Sequence, residues 1–176
     1  SVTGTAAQLR SGAPLRATLC EGPFPVDNAD LADTCAVLGI SPVDVVAAAW
    51  ADNGPGWIAV ELADADAVLA LEPDMSARPD YKIGVVGAYP PGGPAAIEVR
   101  ALFKMGSGPG AEDPVTGSLN AALAQWLLES GRLSSPYVAS QGTVLGRAGK
   151  VSVEQSDGEV WIGGDAVTCV DGNVDL

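Results

Sequence analysis

Residues 112 to 118 read EDPVTGS and stand directly ahead of an apolar helical pattern. Asp113 is a carboxylate that can accept or donate a proton beside a bound substrate. Thr116 and Ser118 bring hydroxyls that can cap the following helix by accepting from its first N–H groups. Gly117 between them has no Cβ, so its backbone can turn sharply or approach a ligand closely. The N–H groups of a first helical turn point outward, and the helix dipole favours an anion there. A small carboxylate held at that turn would lie next to Asp113. The same residues also suit a plain helix start, with a capping residue, a proline and a turn. One aspartate in a chain without histidine does not specify a reaction by itself.

The helix behind this motif is strongly written. Leu119, Ala122, Leu123, Trp126 and Leu127 form one wide apolar stripe. Asn120, Gln125 and Glu129 fall away from it, and Gly131 supplies a stop. The spacing predicts a buried helix over about 117–130 with Trp126 in the core. Upstream, LRATLCEGPFPV reads as a strand, and DLADTCAVLG as a helix with Asp30 as a candidate cap and Gly39 as the stop. Asp44 is a candidate cap for a second helix through VVAAAW. DNGPG is a turn, WIAVEL a strand, and DADAVLAL a short helix closed by Pro73. KIGVVGAY and IEVRALF read as strands around a PPGGP loop. The tail is turn-rich β structure: YVASQG, KVSVEQ, a hairpin at SDGE, EVWIGG and AVTCV. The expected class is α+β in a single domain over 1–176.

Composition narrows the function classes. The chain has 176 residues, 47% of them hydrophobic, enough for one real core. Nine basic residues against 22 acidic ones give a net charge of −13, which argues against nucleic acid or an anionic membrane as partner. Cys20, Cys35 and Cys169 are widely spaced, without a CxxC pair, and fit reduced thiols in a cytoplasmic protein. No apolar run approaches the length of a transmembrane helix. Neither metal nor cofactor is expected. A hydrolase with Ser118 as nucleophile is disfavoured, because no histidine can activate it and Lys104 is the only amine near it in sequence.

EDPVTGS, followed by the apolar helix and GRL, resembles the second signature of the PhzF-like family of phenazine biosynthesis, related in fold to diaminopimelate epimerase. QGTVLGR at 141–147 and the closing VWIGGDAVTCVDGNVDL resemble that family's last hairpins. The Pro73–Asp74 pair after DNGPGWIAVEL is a weaker match. Arg100 and Phe103 stand one position further apart than the arginine-x-phenylalanine pair usual before the signature.

The resemblance implies the second half of a two-domain fold, a curved mixed sheet wrapped around a central helix. Residues 1–16 are assigned to contact with a missing or partner first domain. That first domain, with its glutamate and its histidine in a GH motif, has no counterpart in a chain without histidine. The resemblance further implies a cofactor-independent isomerase or epimerase that transfers a proton on a small carboxylate. Asp113 would be catalytic, and Thr116, Gly117 and Ser118 would bind the substrate's carboxylate. The main base would come from a complementary chain or a lost half; failing such a partner, a homo-oligomer is expected. The alternative is a non-catalytic carboxylate-binding or assembly domain.

Overall fold

The computed structural model describes residues 2–3, 15–17, 21–104 and 111–165. The expected strand at AVTCV lies outside them. Among the described residues the strands are β1 (Val2–Thr3), β2 (Leu15–Ala17), β3 (Glu21–Pro25), β4 (Ala47–Asp52), β5 (Gly56–Glu61) and β6 (Lys82–Ala88). They continue as β7 (Ile97–Phe103), β8 (Ala111–Asp113), β9 (Tyr137–Gln141), β10 (Gly149–Ser156) and β11 (Glu159–Gly163). The α-helices are α1 (Asn28–Leu38), α2 (Ala65–Leu69) and α3 (Gly117–Glu129).

The strands form one mixed sheet in the order β1-β2-β11-β10-β9-β7-β6-β5-β4-β3. Its topology forces curvature. Strands β2 and β3 stand near opposite ends of that order, yet Ala17 and Glu21 are four residues apart in the chain. Four residues span at most about 14 Å even when extended. The two ends must therefore curl towards each other. Helix α3 fills the enclosed space and touches β1 and β11 from one end and β4 and β5 from the other. The expected α+β class, a curved mixed sheet around a central helix, is the fold observed.

Strand alternation separates two layers of core. On the inner face Trp57, Ala59, Val99 and Ala101 pack with Leu119, Leu123, Trp126 and Leu127 of α3. On the outer face Ile58, Val60, Ile83, Val85 and Leu102 pack under α1 and α2. Gly84 lets α3 settle on the sheet, since a Cβ there would lie 2.2 Å from Leu119 Cδ1. Trp126 is buried as the stripe requires. Trp126→Ala is expected to cost about 3–5 kcal/mol through lost burial and the cavity left behind. Urea unfolding of the two chains measures it, and a loss under about 1 kcal/mol would contradict the packing.

Four local expectations are corrected. VVAAAW does not form a helix. Asp44 closes a short 3₁₀ turn, Pro42–Asp44, and residues 47–52 become β4, paired on both sides. Alanine's helical propensity yields to the tertiary pairing available on each edge. LRATLCEGPFPV is not one strand but two, β2 and β3, which stand near opposite ends of the strand order. The cap of α1 is Asp27, whose carboxylate accepts from Ala29 N and Asp30 N, while Asp30 accepts from the Tyr81 hydroxyl. Asn120 does not face away from the core; it is buried and hydrogen-bonded beneath the motif.

Candidate functional site

The site forms where two strands share one edge of β7. Strand β9 runs parallel to β7 and ends with Gln141 opposite Val99. Strand β8 runs antiparallel and ends with Asp113 opposite Ala101. The two C-terminal ends therefore meet head to head across a single step of β7, at Arg100. Val99 and Ala101 belong to the inner core, so Asp113 and Gln141 face inward, towards the start of α3.

Arg100 and Glu112 point to the other face. The guanidinium forks onto Glu112, with Nε to Oε1 at 3.0 Å and Nη2 to Oε2 at 2.7 Å. Its Nη1 donates to the carbonyls of Val68 and Leu71 at the end of α2. Both side chains are nearly buried. This fork pins the three-residue strand β8 to β7, and with it the backbone that carries Asp113.

On the inner face Thr116 Oγ1 donates to Asp113 Oδ2 at 2.7 Å. Gln141 is fully buried and makes four further bonds. Its Oε1 accepts from Thr116 N at 3.0 Å and from Asn120 Nδ2 at 2.7 Å. Its Nε2 donates to Asp113 O at 2.8 Å and to Thr116 Oγ1 at 3.0 Å. The turn rests on glycines. Gly142 has φ +84, and a Cβ there would lie 2.7 Å from Pro114 O. A Cβ on Gly149 would lie 2.4 Å from Val115 Cγ2. Only residues without a side chain leave room for the motif at these two positions.

The four sequence-assigned residues thus occupy one turn, but in different roles. Thr116 is spent inward: its N–H goes to Gln141 and its hydroxyl to Asp113, and it makes no side-chain cap. Gly117 is exposed, and a Cβ on it would meet no atom within 4 Å, so open space lies before it. Ser118 is held from behind. Its Oγ accepts from Trp57 Nε1 at 3.3 Å and its carbonyl accepts from Asn53 Nδ2 at 2.7 Å. Asp113 is half-buried beside them.

Gln141, Asn120 and Arg100 were not singled out as site residues by sequence. A visible signal was available for Gln141, a polar residue on the inward phase of a strand whose other inward residues, Tyr137 and Ala139, are core. On the sheet's outer face, Tyr89 donates to the buried Glu98 at 2.8 Å. Burial, and then the Glu98 carboxylate, push the Tyr89 phenol up to about 12, so it remains the donor.

A phenazine biosynthesis-like family model, PhzC-PhzF, matches residues 20–172. The chain belongs to this family. The match spans both strand ends that build the site, β8 and β9. Solved PhzF-family structures share the fold. One from Enterococcus faecalis superposes with a TM-score of 0.66 at 22% identity, over 99% of this chain and 60% of its own. One from Bacillus anthracis gives 0.66 at 17% identity, over 86% and 56%. A protein from Pseudomonas aeruginosa described as a predicted epimerase gives 0.66 at 21%, over 86% and 54%. The present chain thus spans little more than half the length of these PhzF relatives. No curated protein sequence matches it significantly. No helix among its described residues is long and apolar enough to cross a membrane.

Proposed function

We propose that this chain is the carboxylate-binding half of a PhzF-type isomerase, acting by proton transfer at a carbon α or vinylogous to a carboxylate. The observation that carries the reading is the pairing of Asp113 with an unobstructed helix start. Asp113 is held beside the first turn of α3, and the backbone at Gly117 faces open space. The N–H groups of Gly117 and Ser118 would take the substrate carboxylate and the enolate charge that develops from it. Asp113 would move the proton. Thr116 acts through Asp113 rather than on the ligand, because its own donors are committed.

A second proton-transferring group would come from the part of the fold that this chain does not span. Val115, Val144 and Leu145 support that reading, being exposed apolar side chains on the two turns that leave β8 and β9. The parent protein or complementary subunit is expected to cover them. Cytoplasmic location belongs to the same reading.

The test is solvent deuterium incorporation. The chain is incubated in D₂O with a panel of small carboxylates bearing an acidic C–H, alone and coexpressed with the amino-terminal half of a full-length family member. Incorporation by the coexpressed pair and none by the chain alone is the expected result. If the pair binds a panel member yet leaves its C–H unexchanged, the non-catalytic binding role replaces the isomerase.

A further inference from the structure

The hydrogen bonds around Gln141 allow only one orientation of its amide. Thr116 N–H is an obligate donor and Asp113 O an obligate acceptor. Turning the Gln141 amide over would set its NH₂ against Thr116 N–H and its oxygen against Asp113 O. Asn120 is fixed in the same way, because its Nδ2 donates to Thr116 O at 2.9 Å and only a donor can stand there. Gln141 Nε2 therefore donates to Thr116 Oγ1, so that the hydroxyl acts as an acceptor towards Gln141 and cannot donate to it. The hydroxyl proton is left to Asp113 Oδ2. The relay from Asn120 Nδ2 to Gln141 Oε1, from Gln141 Nε2 to Thr116 Oγ1 and from Thr116 Oγ1 to Asp113 Oδ2 ends on the carboxylate.

We propose that Gln141 is a positioning residue: by occupying Thr116 Oγ1 from behind, it commits the hydroxyl proton to Asp113 Oδ2 and presents Asp113 as a group set to receive a proton. This rests on the reading of Asp113 as the proton-transferring residue and specifies the direction in which it acts first. The arrangement suits the purpose, since Gln141 is fully buried and both ends of its amide are held by hydrogen bonds. A neutral amide at this place donates twice and accepts twice. Glutamate has nearly the same shape but would repel Asp113 O and accept the Thr116 proton itself.

The experiment follows Asp113 13Cγ by NMR in the labelled chain, in H₂O and in D₂O. A deuterium isotope shift passed through the Thr116 hydroxyl is expected in the wild type. Thr116→Val should abolish it, which identifies the donor. Gln141→Glu should abolish it as well, with methyl and indole spectra unchanged. Gln141→Met removes the donor without burying a charge and should reduce the shift at least twofold. A shift retained in folded Q141E or Q141M would overturn the proposal, because Thr116 would then need no direction from Gln141. Its absence from the wild type would overturn it without reference to any variant. No substrate is involved, so failure here leaves the deuterium-incorporation test standing, and failure there leaves this measurement unaffected.

Discussion

Asp113→Asn in the completed enzyme is expected to lower turnover about 10²- to 10⁴-fold, the range for loss of a positioned general acid or base. Asparagine keeps the shape and can still accept from Thr116 through its amide oxygen, so the turn should persist and the melting temperature should hardly move. It cannot carry the proton. Gly117→Val supplies the contrast. Its Cβ enters open space, so folding should be spared. The added bulk would instead stand where the carboxylate approaches, and binding should weaken with a smaller change in turnover. Steady-state isomerisation on both variants separates the two effects. Equal rates for wild type and Asp113→Asn would reduce Asp113 to a structural element of the turn.

The second large effect is expected at Arg100. Arg100→Leu leaves the Glu112 carboxylate buried without its counter-ion and strips a donor from the carbonyls of Val68 and Leu71. Breaking one member of a buried pair in this way costs about 3–5 kcal/mol. Replacing both members, as in Arg100→Leu with Glu112→Leu, should recover part of that loss, since no buried charge remains unpaired. The recovery should be incomplete, because the two carbonyls still lack their donor. Urea denaturation of the single and double variants measures both quantities. A single variant as stable as wild type would show that β8 is held by its strand pairing alone. The arginine could then not be credited with fixing Asp113.

Local pattern was enough for elements whose sequence agrees with their surroundings. The stripe from Leu119 to Leu127 could only be a buried helix, and α3 runs from Gly117 to Glu129 with Trp126 inside. The runs at 57–62, 82–89 and 97–103 became β5, β6 and β7 because β-branched residues and short apolar stretches fit a sheet covered on both faces. EDPVTGS likewise marked a turn where a carboxylate, a glycine and a helix start coincide.

Other features depend on partners distant in sequence. Residues 47–52 are alanine-rich and favour a helix locally, and pairing with β3 and β5 overrode that preference. Asn120 reads as an outward polar residue until Gln141, twenty-one positions later, supplies an acceptor in the interior. Thr116 could have been a cap or a ligand contact on spacing alone. Only when the ends of β8 and β9 meet on β7 does its hydroxyl find Asp113 on one side and Gln141 on the other. The sequence by itself determined which turn brings a carboxylate, a glycine and a helix start together, because glycine, proline and a capping residue act over a few neighbouring positions. Tertiary structure decided which atoms of that turn are already committed, because hydrogen-bond partners are assigned by proximity in space, and strand register sets that proximity.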